Sequence, residues 1–282
     1  MVSVVIPVYN GEQYIAQAIQ SVLEQSLKVD EIIVIDDAST DRTEQVVKSE
    51  FSRWVHYHRN PKNMERCYSR NLGVSLARGE YIFFLDHDDL WEKNHVEKLR
   101  DALKVADMVY SFPRTLVNSE DKILRVSRKK IPKDYKILVF SGMVGYPSAT
   151  AFRKESFLGY KDQFMLREDW EIFLRAVLKG LKVEICDTNT VKIREHGKRS
   201  SKSIRLYEGT MAVYSFYRDK IPEEYLPYFL FHVGDVCMRF GNLKEGWKLV
   251  LSALSKKPEL LLSGRNLLTI LKRGFRFWRS YA

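Results

Sequence analysis

Apolar positions in the first half of the chain alternate between two spacings. Ser3–Val8 (SVVIPV) is a continuous apolar run of strand length. Tyr14, Ile15, Ala18, Ile19, Val22 and Leu23 then recur at helical spacing. Glu31–Ile35 is a second apolar run, and it stops at Asp36 and Asp37. Residues 41–49 predict a helix, with Ser39 or Thr40 available as N-cap. Trp54–His58 predicts a third strand, and Glu65–Ala77 a helix closed by Gly79. Tyr81–Leu85 (YIFFL) predicts a fourth strand, cut off by Asp86. A helix over Asn94–Val105 and a strand over Asp107–Ser111 follow. Strands alternating with helices imply βαβ crossovers, hence an α/β fold with a mostly parallel central sheet flanked by helices.

The pattern then loosens. Residues 113–135 are rich in Lys and Arg without a clean period, and predict strands or loops. Residues 169–179 predict a helix with Trp170, Phe173, Leu174, Val177 and Leu178 on one face. Short strands are expected over 181–186 and 190–194, then a polar, basic loop over 196–204. From about residue 206 the chain is helical and aromatic. This predicts a domain over 1–205 and a C-terminal helical extension over 206–282. Within 206–258, a helical hairpin turning at Gly241-Asn242 is similar to a single tetratricopeptide-type unit.

Composition narrows the class. The chain has 282 residues, 45% hydrophobic and 29% charged, which excludes a disordered or collagen-like chain. No apolar run reaches the roughly 18 residues of a membrane-spanning helix. The opening MVSVVIPVYN carries no secretion signal, so a secreted precursor is not expected. Cys67, Cys186 and Cys237 form neither a CxxC pair nor a zinc spacing, which fits a reducing, cytoplasmic compartment. The net charge of +10 is concentrated: residues 242–282 hold nine Lys or Arg against two Glu. Such a tail suits nucleic acid, an anionic membrane surface or plain solubility.

No two glycines are separated by a single residue, so a GxGxxG dinucleotide loop is absent, and so is a GxxxxGK[ST] phosphate loop. A protein of this class that handles nucleotides needs another way to hold phosphate, and a carboxylate-bound divalent cation is the obvious one. Asp86, Asp88 and Asp89 follow the strongest strand signal, where three carboxylates repel unless a cation or donors intervene. A solvated turn with Asp89 capping the next helix explains them equally well, and such a cap is compatible with metal binding by Asp86 and Asp88. Asp36 and Asp37 end another strand, suited either to nucleoside hydrogen bonds or to a turn. Arg70 offers a planar donor for a base or phosphate, unless it is an ordinary surface arginine. Glu168 and Asp169 open a helix, where acids are favoured in any case, and where one could serve as a general base. His196, Lys198 and Arg199 make a loop of donors fit for a metal or a leaving diphosphate.

Taken in order, VSVVIPVYN at 2–10, EIIVIDDASTD at 31–41, SRNLGVSLARGEYIFFLDHDD at 69–89, EDWEIFLR at 168–175 and REHGKRSS at 194–201 resemble family 2 glycosyltransferases of the GT-A fold. The resemblance spans about residues 1–205. It implies inverting transfer of a sugar from a nucleoside diphosphate donor, UDP by default, to a saccharide or lipid-linked acceptor in cell-surface polysaccharide or glycolipid assembly. It implies a divalent cofactor, Mn2+ or Mg2+. It assigns Pro7, Tyr9, Glu12, Asp36 and Arg70 to the nucleotide side and Asp86 to the ribose side. Asp88 becomes the metal ligand and Asp169 the catalytic base, with His196 near the metal or diphosphate and Lys198 and Arg199 beside the diphosphate. His87, in a spacer position that is often small, and Asn63-Met64-Glu65 depart from the family pattern. A catalytically inactive relative that only binds nucleotide sugar is one alternative. A basic nucleic-acid-binding module is the weaker one, because no such motif is present and acidic strand ends oppose a phosphate backbone.

On a helical wheel Leu267, Leu268, Leu271, Phe275 and Trp278 share one face, opposite Lys272, Arg273, Arg276 and Arg279. Residues 261–282 therefore suit either an anionic membrane surface or packing on the catalytic domain. The first case places the protein peripherally on the cytoplasmic face of the plasma membrane.

Overall fold

The computed structural model describes residues 1–195 and 203–274. The strands are β1 (Val2–Val8), β2 (Glu31–Asp36), β3 (Val55–Arg59), β4 (Tyr81–Phe84), β5 (Leu90–Trp91), β6 (Met108–Ser111), β7 (Thr115–Val117), β8 (Ile123–Val126), β9 (Thr150–Arg153), β10 (Val183–Cys186) and β11 (Val191–Arg194). The helices are α1 (Ile15–Leu23), α2 (Thr43–Phe51), α3 (Glu65–Leu76), α4 (His95–Leu103), α5 (Lys136–Phe140), α6 (Glu168–Leu178), α7 (Ile204–Tyr217), α8 (Leu226–Arg239), α9 (Leu243–Lys256) and α10 (Gly264–Thr269).

The described residues form two compact units. The first takes in residues 1–131, 144–162 and 175–195, and the second takes in 132–143, 163–174 and 203–274. The expected division near 205 follows chain order. The compact unit of the C-terminal helices also draws in α5 and the start of α6, which lie far back in sequence.

The first unit is built on a seven-stranded sheet in the order β10-β6-β9-β4-β1-β2-β3. Every neighbouring pair is parallel except those of β9, which runs antiparallel to both β4 and β6. All residues of β1 and β2 are buried, as expected of strands covered on both faces, and this explains their unbroken apolar runs. Residue α3 Gly73 lies so close to β1 that a Cβ there would sit 2.3 Å from Val5 Cγ1. Gly79 does not cap α3. It packs against β1, where a Cβ would meet Ser3 Oγ at 2.4 Å. A second sheet, β5-β11-β7-β8, turns residues 115–126 of the basic 113–135 segment into a hairpin against β11.

In the second unit, α8 and α9 form the expected hairpin. They approach closely where Gly234 and Gly246 face each other: a Cβ on Gly234 would meet the Gly246 carbonyl at 2.9 Å, and the reverse approach is 3.0 Å. Asn242 caps α9 by accepting the Glu245 N–H at 3.3 Å. Trp170 Nε1 donates to the Val139 carbonyl at 2.7 Å, and Tyr225 stacks on Phe140 at 4.7 Å.

Candidate active site

Strands β4, β1, β2 and β3 are adjacent and parallel, so their carboxyl ends open along one edge, where ligands of such sheets bind. Tyr9 follows β1, Asp36 and Asp37 end β2, Arg59 and Asn60 end β3, and Asp86 to Asp89 follow β4. Backbone bonds continue the ladder past the strands: Asp37 N–H to Val8 O and Asn60 N–H to Asp36 O, both 2.8 Å, and Leu85 N–H to Val5 O at 3.1 Å.

Asp86, Asp88 and Asp89 bring carboxylate oxygens within 4.8 Å of one another. Arg70, only 2% exposed, donates through Nη2 to Asp86 Oδ1 at 2.9 Å and lies over the Tyr160 ring at 5.2 Å. It is no ordinary surface arginine. Asp89 turns inward, accepting the Ser148 hydroxyl at 2.6 Å and the Arg194 N–H at 2.9 Å. It does not cap the next helix, since α4 begins after Asn94. Burial, reinforced by the charges of Asp88 and Asp86, holds its carboxyl well above the usual range. Carboxylates gathered this closely, all offering hard oxygen donors, fit Mg2+ or Mn2+. Asp86 and Asp88 are the residues that would hold the ion, because both oxygens of Asp89 already accept protein donors.

His87 lies against the loop after β1. A Cβ on Gly11 would come within 2.6 Å of its Cδ2 and 2.5 Å of Val8 Cγ2, so only glycine allows this approach.

Asp36 is fully buried. It accepts the Tyr57 hydroxyl, Arg59 Nη1 at 3.1 Å and the Ser39 N–H at 2.7 Å. Burial and this carboxylate push the Tyr57 hydroxyl well above its ordinary value. Asp37 Oδ1 accepts Asn60 Nδ2 and the Met64 N–H, both at 2.8 Å. Neither expected cap of α2 acts as one. Asp41 Oδ1 accepts the Thr43 N–H at 3.0 Å, while Ser39 Oγ takes the Asn10 N–H at 2.9 Å. Glu12 accepts the backbone N–H of Arg42 at 3.0 Å and its Nε at 3.2 Å. Pro7 is buried in β1, and Tyr9 is exposed at its end.

Sequence reasoning missed Arg194. Its side chain is fully buried and lies 4.5 Å from the Tyr14 ring centre. It donates to the carbonyls of Asp88 at 2.8 Å, Ser119 at 3.1 Å and Asn118 at 3.3 Å, and to Gln17 Oε1 at 2.8 Å. It also pairs with Asp121 at 2.5 Å. Arg194 thus ties the acidic turn to α1 and the 118–121 loop. No local pattern signals this, because three acceptors are backbone carbonyls at least 75 residues away.

One edge of the first unit therefore gathers Pro7, Tyr9, Glu12, Asp36, Arg70, Asp86 and Asp88. Asp169, half-buried, is the second residue of α6 and belongs to the second unit, next to fully buried Glu168. His196, Lys198 and Arg199 lie outside the described residues.

The profile of "Glycosyl transferase family 2" matches residues 3–160, more than half of the chain. The chain is 32% identical over 123 residues to TuaG of Bacillus subtilis, named for teichuronic acid biosynthesis, covering 43% of this chain and 49% of that one. It is 26% identical over 266 residues to WcaA of Escherichia coli K12, named for colanic acid biosynthesis, covering 90% and 93%. The matches span 33% to 54% of the length of the first three curated relatives. Among solved structures, Staphylococcus aureus TarS 1–349 with UDP-GlcNAc gives a TM-score of 0.63 at 18% identity, covering 100% of this chain and 93% of that one. The Pyrobaculum calidifontis mannosyltransferase PcManGT with GDP-Man and Mn2+ gives 0.61 at 19%, covering 99% and 83%.

Proposed function

The chain belongs to glycosyl transferase family 2 and has the GT-A fold, and we propose that it transfers a sugar, with inversion, from a nucleoside diphosphate donor to a hydroxyl. The donor is a UDP-sugar, and the acceptor a saccharide or lipid-linked saccharide in cell-surface polysaccharide or glycolipid assembly. The observation that carries this reading is the cluster of Asp86, Asp88 and Asp89, tied to buried Arg70, at the carboxyl edge of the parallel strands. Relatives named for teichuronic and colanic acid biosynthesis support the class of product. Fold neighbours bound to UDP-GlcNAc, and to GDP-Man with Mn2+, support the donor class and the cation.

Asp36, which the resemblance assigns to the nucleotide, serves instead as an anchor, because Ser39 takes its Oδ1 and Tyr57 and Arg59 its Oδ2. Its bonds to Tyr57, Arg59 and Ser39 hold the end of β2 rigid. Asp37, whose described donors both converge on Oδ1, keeps Oδ2 for a base N–H. Tyr9, Pro7 and Glu12 shape the same edge, and Arg70 orients Asp86 toward the ribose. Mn2+ or Mg2+ held by Asp88 and Asp86 would supply positive charge to the departing diphosphate. His196, Lys198 and Arg199 add charge on that side by resemblance. An acceptor hydroxyl is a weak nucleophile near neutral pH, and Asp169 takes its proton as it attacks the anomeric carbon. The nucleoside diphosphate leaves from the opposite face, so inversion needs no covalent intermediate.

Among the described residues no helix is long and apolar enough to cross a membrane. We place the protein peripherally on the cytoplasmic face of the plasma membrane, through residues 261–282.

A thermal-shift panel of nucleoside diphosphate sugars with Mn2+ or Mg2+ tests the donor: one base should stabilise selectively and only with the cation. Asp169→Asn is expected to abolish transfer while leaving nucleotide binding intact. Loss of both together would refute the base role.

A further inference from the structure

The second unit holds a cavity of about 280 Å3 lined in part by Met143 and Phe231, with Lys257 and Arg265 on its wall. Two carboxylates also line it, Asp235 and Glu259. Arg273 pairs with Asp235, and Glu259 is exposed. Asp235 also acts on Arg265 through its charge. Deeper in the wall, Arg167 bonds the ring of buried His232. That ring stays neutral, because burial and the charges of Arg167, Arg265 and Arg273 push its pKa well down. Lys257, Arg265, Arg273 and Arg167 stand against Asp235, Glu259 and Glu168, so positive charge exceeds negative charge around this cavity.

Exposed leucines flank the lining residues in sequence. Leu261 is 41% exposed, Leu262 85%, Leu267 46%, Leu268 53% and Leu271 54%. A row of exposed apolar side chains interleaved with basic ones suits the boundary between headgroups and acyl chains of an anionic membrane.

We propose that the cavity takes the terminal phosphate headgroup of a membrane lipid, a phosphomonoester or diphosphate, while the leucines enter the acyl boundary. Lys257 and Arg265 would donate to the phosphate oxygens, where a doubly charged terminal group gains more than a diester. This site deepens the membrane reading given above and rests on it, but it does not depend on the transfer chemistry.

The test is sedimentation of the full chain with phosphatidylcholine vesicles carrying phosphatidic acid, against vesicles carrying phosphatidylglycerol at matched surface charge. The wild type is expected to favour phosphatidic acid about tenfold. Arg265→Gln with Lys257→Gln should bring that ratio to parity while residual binding persists, because the ratio cancels general surface attraction. A retained nucleotide-induced thermal shift would show that the variant is folded. Equal binding of both vesicles by the wild type would overturn the headgroup site and spare the membrane reading. An unchanged ratio in the variant would do the same. Binding to neither vesicle would remove both. Inorganic phosphate abolishing the preference without displacing the protein from phosphatidylglycerol vesicles would support the cavity as the phosphate site.

Discussion

His95 gives the first unit a calculable sensitivity to acid. The ring is fully buried, stacks on Trp91 at 4.4 Å and meets Phe83 edge-on at 6.2 Å. Its Nδ1 lies 2.7 Å from Thr190 Oγ1, and its Nε2 has no hydrogen-bond partner. Burial lowers its pKa from 6.5 to about 3. A histidine depressed in this way contributes stability that is complete above its unfolded value and fades as the pH falls below it. At about pH 5 the unfolded chain holds this proton and the folded chain does not. The resulting loss between about pH 7 and pH 5 is about 2 kcal/mol. Other titrating groups, buried His232 among them, act on top of this, so the assay is a difference. Urea unfolding of the wild type and of His95→Phe at both pH values isolates the single group, since Phe keeps the stacking shape and does not titrate. The wild type is expected to lose about 2 kcal/mol more than the variant across that interval. Equal pH dependence in the two proteins would refute the buried neutral imidazole as the cause.

Two substitutions probe the frame of the site, and a third is their control. Arg194→Met removes the donor shared by the carbonyls of Asp88, Asn118 and Ser119 and leaves Asp121 unpaired by it. Unfolding free energy is expected to fall by about 3–5 kcal/mol, measured by denaturant titration, and a loss under about 1 kcal/mol would contradict the hub role. Gly73→Ala drives a Cβ into Val5 and should cost about 1–3 kcal/mol. Gly264→Ala, with no atom within 4 Å of its Cβ, should change stability by under about 0.5 kcal/mol in the same assay.

The strands that carry the site were legible because β1, β2 and β4 are covered on both faces and so are written as unbroken apolar runs. β9 was not legible. Its four residues, TAFR, are too few to show a period, and it finds its place only by pairing with β4 and β6. The two-residue β5 escaped for the same reason. Helix caps were misassigned at α2 because several polar residues in a row can each serve, and packing chooses among them. The acidic turn was visible as letters, but its division of labour was not. Asp89 looked like a cap and is a buried acceptor for Ser148 and Arg194, which lie 59 and 105 residues away.

By itself the sequence determined the alternation of strands and helices, and the delivery of Asp36, Asp86 and Asp88 to strand ends. Side-chain periodicity and strand termination are local properties, settled within a few residues. Tertiary structure alone decided which carboxylates are sealed inside, which arginine ties them down, and that His95 stays uncharged. Those outcomes depend on desolvation and on partners brought together by long-range pairing, and no short window of the chain contains them.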